Sequence, residues 1–386
     1  MNTSIQSVLK PYWLRYVIVI LIIVVAGLSF VMFLDKKPVL VGFVAQMTGN
    51  QAELGVQERN GVQLAVEKTN ASGGINGRKI ELVIRDDLGV PENAQSVDDE
   101  LIKAGVVAII GHATSGQAVA GLKVTNPAQM VMISPTVSTP ALSGQDDFFF
   151  RVYPTFKDSA QAFAAYIYKT GKLKRLAAIY DTDNAAYAKT YNATFSEKYT
   201  SLGGVISGES SFSSKTRPDF AIGLAELRRS DAEGLMIIAS DTDTALIAQK
   251  ARIMEWQIPL FTSAWAQTET LINNGGKAVD GLKLEQSYAL TSQVPSFTEF
   301  KSNYQARFGN TPSFGAAFGY EAALVLADAL KKTNGKPDKL KNALLETRDF
   351  KGLMDNISLD KFGDVQRPFY LSAIENGKFV ILGKLN

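Results

Sequence analysis

Four short segments carry hydroxyl, amide and carboxylate side chains directly after apolar runs, and these are where the chain could do chemistry. The first reads Gly111-His112-Ala113-Thr114-Ser115-Gly116 and the second Ser134-Pro135-Thr136-Val137-Ser138-Thr139-Pro140. The third is Tyr180-Asp181-Thr182-Asp183-Asn184-Ala185-Ala186-Tyr187 and the fourth Ala239-Ser240-Asp241-Thr242-Asp243-Thr244. Two hydroxyls and a run of free backbone N–H groups at a helix start suit a carboxylate. The same residue types serve equally well as helix caps, so Thr114, Ser115, Asn184 and Asp241 each have a purely structural reading. Tyr187 and Trp265 read equally as ligand-stacking rings or as core. Phe318, by its apolar spacing on a helix, reads as core.

Catalysis finds little support in these residues. The chain has no cysteine, which excludes thiolate chemistry, disulfides and a lipidated N-terminal cysteine. Its one histidine is His112, so a Ser-His-Asp triad would have to use that position, and a histidine-based metal site lacks ligands. No G-x-S-x-G elbow, P-loop or G-x-G-x-x-G fingerprint follows a predicted strand. His112 reads as a hydrogen-bonded structural residue at a strand end. The expectation is a protein that binds a small molecule without cofactor or metal and without reacting it.

The elements that must position these loops alternate. Strands are expected at residues 39–45, 80–85, 106–110 and 131–134, with helices at 53–70, 91–103 and 114–124 between and after them. The rhythm restarts with helices at 159–169, 185–199, 219–228 and 241–254 and strands at 175–180, 234–239 and 260–262. Beyond Pro295 three helical stretches precede two strands, 369–374 and 379–382, joined by the turn Glu375-Asn376-Gly377-Lys378. Such βαβ alternation predicts parallel sheets covered by helices on both faces. At 386 residues the chain exceeds what one core fills, so two lobes are expected. The formal net charge of +2 comes from interspersed acids and bases, with no basic run to suit a nucleic acid.

Ahead of this body, Val17 to Leu34 is an uncharged apolar run of 18 residues. As a helix it would span about 27 Å, close to a hydrocarbon core. Tyr12, Trp13 and Tyr16 flank it as interfacial rings. It ends Phe-Val-Met-Phe-Leu-Asp-Lys-Lys rather than at small residues, which favours an uncleaved signal-anchor over a cleaved signal peptide. Residues 1–16 would then be an N-terminal cytoplasmic tail and 17–34 a transmembrane anchor.

The phrase Asn70-Ala71-Ser72-Gly73-Gly74-Ile75-Asn76-Gly77-Arg78-Lys79-Ile80-Glu81-Leu82 followed by Asp86-Asp87 resembles the type I periplasmic solute-binding proteins, the Leu/Ile/Val receptor family of ABC importers. Four further stretches extend the resemblance in order: 110–115, 132–140, 149–152 and 319–323. It covers the chain from about Val39 to its end. The resemblance implies a type I periplasmic-binding-protein fold, α/β, with two Rossmann-like lobes of parallel sheet joined by a three-stranded hinge, here preceded by the N-terminal transmembrane helix. The lobes would be residues 38–152 with 287–351 and residues 153–286 with 352–386, crossing near Arg151 to Tyr153, Leu284 to Gln286 and Gly352 to Asp355.

By the same resemblance Ser115 and its neighbour Thr114 hold a ligand carboxylate. Val137 and Ser138 add backbone and hydroxyl contacts, and the loop with Asn184 and Tyr187 closes as a lid. Leu54, in the loop after the first strand, takes an aromatic position of relatives, and Phe318 lies near another pocket position. Leucine-binding relatives pair the ligand amine with a glutamate where this chain reads Phe261-Thr262-Ser263-Ala264-Trp265-Ala266, with no acid. Asp241, Asp243 or Asp183 would replace it, or the ligand carries no ammonium. The implied partners are an amino acid or similar small solute, an ABC permease and its ATPase subunits, and the membrane. The binding body would lie in the periplasm or outside the cell. The alternative is a membrane-tethered sensing module that signals to a separate partner.

Overall fold

A computed structural model describes residues 13, 15–24, 37–49, 52–216 and 218–385. Residues 15–24 are helical and exposed, while residues 25–34 of the expected span lie outside the described residues. Among the described residues no helix is long and apolar enough to cross a membrane.

The body begins β1 (Val39–Ala45), α1 (Ala52–Ala71), β2 (Ile80–Asp86), α2 (Pro91–Lys103), β3 (Ile109–Gly111), α3 (Ser115–Thr125), β4 (Met132–Ser134) and β5 (Phe149–Arg151). These strands form one parallel sheet in the order β2-β1-β3-β4-β5. A parallel sheet needs apolar side chains on both faces, and the strands supply them alternately. Phe43, Ile110 and Ile133 join the core under α1, whereas Val44 and Ile109 pack with Val97 and Leu101 of α2. The glycine-rich turn returns α1 to β2 through positive φ at Gly73, Gly74, Asn76 and Gly77. Asn70 then fixes the strand start, its side chain donating to Ile80 O (2.9 Å) and accepting from Ile80 N (2.7 Å).

The second sequence of elements is α4 (Phe156–Lys169), β6 (Arg175–Asp181), α5 (Ala185–Ser201), β7 (Val205–Phe212), α6 (Phe220–Arg228), β8 (Gly234–Ile238), α7 (Asp241–Ile253), β9 (Leu260–Thr262), α8 (Glu269–Gly275) and β10 (Lys283–Gln286). Its sheet runs β14-β13-β10-β9-β8-β6-β7. The five strands β7-β6-β8-β9-β10 are parallel and repeat the order of the first sheet. Alternation recurs: Ala178, Met236 and Ile238 face Phe163, Tyr191 and Phe195, whereas Ala177, Ile179, Leu235 and Ile237 face Leu224 and Ala248.

After β10 come α9 (Pro295–Phe308), α10 (Phe314–Lys332) and α11 (Leu340–Leu345), then the small hairpin β11 (Phe350–Lys351) and β12 (Asn356–Ile357). α10 packs along α1 on the first sheet. The antiparallel pair β13 (Phe369–Glu375) and β14 (Lys378–Leu385) finally closes the second sheet's edge. Its turn has positive φ at Asn376 and Gly377, as the Asn-Gly pair predicts.

The chain passes between the sheets after β5, after β10 and before β13. The third passage falls later than Gly352 to Asp355, which make the turn of the β11–β12 hairpin. Beyond it, Leu359 N still donates to Thr347 O and Arg151 N to Gly363 O, and Arg151 pairs with Asp364 at 2.6 Å. The passages are bonded to one another. Arg367 Nε donates to Val152 O (2.8 Å) while its Nη2 pairs with Glu321 (2.5 Å), and the Tyr153 hydroxyl donates to Gln286 Oε1 (2.5 Å).

Candidate functional site

In both sheets the order reverses beside the first strand of the unit, and ligands of open α/β sheets bind beyond strand C-termini at such a point. The loops there face each other. From the first sheet come the β3–α3 and β4–β5 connections, and from the second the β6–α5 loop and the residues after β9. Between them lies a small cavity lined by Leu54, Ala113, Thr114, Ser115, Thr136, Ser138, Tyr153, Asn184, Tyr187, Ala264, Trp265 and Phe314. One side is hydroxyl and amide, the other aromatic. No Asp, Glu, Lys or Arg is among the lining residues.

The polar side is built on a buried cluster. Nδ1 of His112 meets Asp87 at 2.7 Å and Nε2 meets Asp98 at 3.1 Å, all three side chains being buried. Burial alone would push the imidazolium down, but the charges and hydrogen bonds of Asp98 and Asp87 outweigh it and raise His112 to about 10. His112 is therefore a doubly anchored cation that fixes the β3–α3 loop. The Ser134 hydroxyl donates to His112 O (2.8 Å) and accepts from Val137 N (3.1 Å), which ties the second loop to the first. Thr136 Oγ1 contacts both Ala113 O (2.7 Å) and the buried Glu58 carboxyl. Burial pushes Glu58 up to about 8, with Thr136 pulling the other way. A hydroxyl has one proton, so while Thr136 donates to Ala113 O, a protonated Glu58 supplies the second bond.

Thr114 stands at the N-cap of α3 in extended conformation, and its side chain makes no capping bond. The cap comes from the other sheet: Asn184 Oδ1 accepts from Gly116 N at 3.1 Å. Asn184 correspondingly does not cap its own helix α5. A second cross-body bond runs from Lys215 Nζ to Gly89 O (3.0 Å). The aromatic side consists of rings set edge to face, Tyr187 on Trp265 (5.7 Å) and on Phe156 (5.2 Å). Tyr153 meets Phe318 in the same way at 4.8 Å. Beneath Ala264, whose amide donates to Glu285 Oε1 (3.4 Å), burial pushes that carboxyl up to about 8.

Of the sequence candidates, Leu54, Thr114, Ser115, Ser138, Asn184, Tyr187 and Trp265 line this one cavity. Three do not. The Val137 side chain is buried with Ala118, Leu122 and Phe149 on the far face of its loop. Phe318 sits behind Tyr153, one helical turn beyond the lining residue Phe314. Asp241 is tied down as part of a helix start, accepting from Thr242 N (2.6 Å) and the Thr268 hydroxyl (2.5 Å). In that segment capping is realised, since Ser240 Oγ accepts from Asp243 N (3.3 Å). Ala113, Thr136, Tyr153, Ala264 and Phe314 were not singled out from sequence. Thr136 and Ala113 lay within the quoted hydroxyl loops; Tyr153 and Phe314 carried no signal beyond aromatic type.

Comparison with known proteins agrees with this geometry. The family model for periplasmic binding protein matches residues 38–378. A Leu/Ile/Val-binding protein homolog 1 from Brucella suis biovar 1 is 26% identical over 347 residues, covering 86% of this chain and 89% of the relative. A leucine-binding protein from Thermotoga maritima superposes with TM-score 0.83 at 26% identity, covering 90% of this chain and 99% of that one. A branched-chain amino acid transporter substrate-binding protein from Streptococcus pneumoniae, solved in complex with isoleucine, gives TM-score 0.82 at 25% identity, with 90% and 100% covered. A solute-binding protein from R. palustris in complex with benzoate shares the fold with TM-score 0.82 at 22% identity, covering 90% and 96%. With two sheets of one strand order facing each other across a loop-lined cavity and a family match along nearly the whole body, this chain belongs to the type I periplasmic binding proteins of the Leu/Ile/Val receptor family.

Proposed function

We propose that this chain is the solute-capturing component of an ABC importer, its two α/β bodies acting as hinged lobes that close on a small carboxylate, amide or amino acid. One lobe comprises residues 38–152 and 287–367, and the other residues 153–286 with β13 and β14. The observation that carries the reading is the convergence of loops from both sheets on one cavity. Contacts made only when both bodies meet the ligand stabilise the closed state over the open one, and only that difference drives closure.

In this reading the Ser115 and Thr114 hydroxyls, with the amides opening α3, hold the ligand carboxylate. Ser138 and the backbone at Val137 support it, Asn184 and Tyr187 close from the opposite lobe, and Trp265, Tyr153 and Leu54 enclose the apolar part. A buried ammonium needs a carboxylate partner, and none lines the cavity. That favours a carboxylate or amide lacking an α-ammonium. The apolar run at residues 17–34 holds the body at the outer face of the cytoplasmic membrane, where the closed lobes meet the permease.

Calorimetric titration of the full chain with benzoate and with isoleucine tests this. Ser115→Ala combined with Ser138→Ala should weaken the better of the two ligands by about a hundredfold. Melting of the ligand-free protein should shift by less than about 3 °C. Unaltered affinity in that variant would overturn the assignment, and tighter binding of isoleucine than benzoate would overturn the preference for a ligand without an ammonium.

A further inference from the structure

Away from the three passages, the two bodies are also joined by hydrogen bonds across the cleft. One, from Gly116 N to Asn184 Oδ1, borders the inner cavity. The other, from Lys215 Nζ to Gly89 O (3.0 Å), does not, since neither of its residues lines that cavity. Lys215 and Gly89 instead line an outer cavity, bounded by Gln46 and Gly89 of the first body and by Asp183 and Lys215 of the second. This outer cavity shares Thr114 and Asn184 with the inner one. Lys215 therefore bridges the bodies beside the inner cavity without entering it.

Each end of this bond is tied to a loop that lines the inner cavity. Gly89 N donates to Asp87 Oδ1 (2.9 Å), and the other oxygen of Asp87 holds His112, two residues before Thr114. Leu88 N donates to Asp86 Oδ1 (2.9 Å). These two carboxylates fix Leu88 and Gly89 in successive left-handed conformations, with φ of 55° and 66°. Leucine is rare in that region, and backbone strain of this kind clusters at clamps and switches, where the surrounding structure enforces it. On the second body, Lys215 N donates to Asp183 Oδ2 (3.0 Å), and Asp183 Oδ1 accepts from Ser213 Oγ (2.9 Å). Asn184, which closes over the inner cavity, is the next residue in the chain. Lysine supplies a long, donor-only cation that spans the outer cavity to a main-chain acceptor.

We propose that Lys215 is a latch, a positioning residue whose bond to Gly89 O holds the two bodies closed and slows solute release without touching the solute. This rests on the hinged-lobe reading above. A contact made only when the bodies meet lowers the free energy of the closed state alone. Because it forms outside the inner cavity, it adds the same increment for every solute and so sets affinity without setting specificity. Closure follows encounter, so the increment appears in the dissociation rate and not in the association rate.

The test introduces Lys215→Met, which keeps the side chain's bulk and removes its donors, into the full chain. The chain contains no cysteine, so Ser96→Cys on α2 and Glu226→Cys on α6, both exposed, place one spin label on each body. Pulsed electron paramagnetic resonance should resolve a closed and an open separation. Without added solute, Lys215→Met should lower the closed-to-open ratio about threefold or more. Stopped-flow tryptophan fluorescence should show benzoate and isoleucine leaving faster by one common factor, about threefold to tenfold, with association unaltered. Lys189→Met, at an exposed lysine of the same body, should match wild type in both measurements. An equal effect in Lys189→Met would reduce Lys215 to long-range charge and overturn the latch. Unequal factors for the two solutes would make Lys215 a solute contact, and an unaltered dissociation rate would likewise overturn it. Should neither solute bind, the separations alone decide. A single fixed separation in every variant, with or without solute, would overturn the hinged lobes and the latch together. Two separations in a ratio that Lys215→Met leaves unaltered would overturn the latch alone.

Discussion

Asn184 shows how a residue's type can be read correctly while its partner is missed. An asparagine before a helix is expected to cap that helix, yet its side chain crosses the cleft and caps α3 through Gly116 N. Sequence spacing locates both helix starts but says nothing of their facing each other. The same limit separates the seven candidates in the cavity from the three outside it. Ser138 and Val137 are adjacent, so one faces the cleft while the other faces the core. Asp241 is drawn to Thr268, 27 positions later, a contact that no local pattern announces. At this scale Asn184→Ala should weaken ligand binding by roughly fivefold to tenfold, since a bond of about 1 kcal/mol that exists only across the closed cleft is lost. Calorimetry with the tightest inner-pocket ligand measures it. Equal affinity would mean that the Gly116 contact does not contribute to closure.

Among the elements, α1 and α10 carry Leu54 and Phe314 into the cavity, and their spacing is set by glycines. A Cβ on Gly61 would stand 1.9 Å from Ala316 O, and one on Gly319 2.6 Å from Glu58 O. Backbone meets backbone there, with no flexible side chain to yield. Gly61→Ala should therefore destabilise the protein by about 2 kcal/mol or more, and displace α10 so that Phe314 no longer lines the cavity with Leu54. Chemical denaturation reads the first effect, and weakened binding at the inner cavity the second. An unperturbed midpoint would show that the helices separate freely. Long periodic elements such as α1 and α10 were legible because apolar spacing repeats over several turns. β7 (Val205–Phe212) was not, since this edge strand is half exposed and rich in serine. β10 was also hidden: Glu285 and Gln286 are buried polar residues in a strand of four, and their partners lie on other elements.

At the scale of the whole molecule, the repeated strand order follows from the βαβ rhythm restarting in the sequence. The buried charge distribution does not, and it has a consequence for stability. The first body encloses Glu58 and His112, and the second Glu285. Each carboxyl is raised to about 8 by burial, so between its ordinary value near 4.5 and 8 the folded state holds a proton that the unfolded state has released. His112, raised to about 10 by Asp98 and Asp87 against its burial, does the same between 6.5 and 10. Where the folded state binds more protons, stability falls as pH rises. All three groups therefore act in one direction: their contribution is full at about pH 4.5 and is lost progressively up to about pH 10. The melting temperature should fall by roughly 5 °C or more between pH 6 and pH 9, against the slight change of a protein without such groups. Glu285→Gln keeps the neutral shape without the titration, so it should flatten the profile between pH 5 and 8 and melt above wild type at pH 8. Glu58→Gln should do likewise while preserving the contact to Thr136. A melting temperature that is level or rises across this range would show that both carboxyls are ionised in the folded state. The neutral Glu58 that supports the hydroxyl side of the cavity would then have to be abandoned.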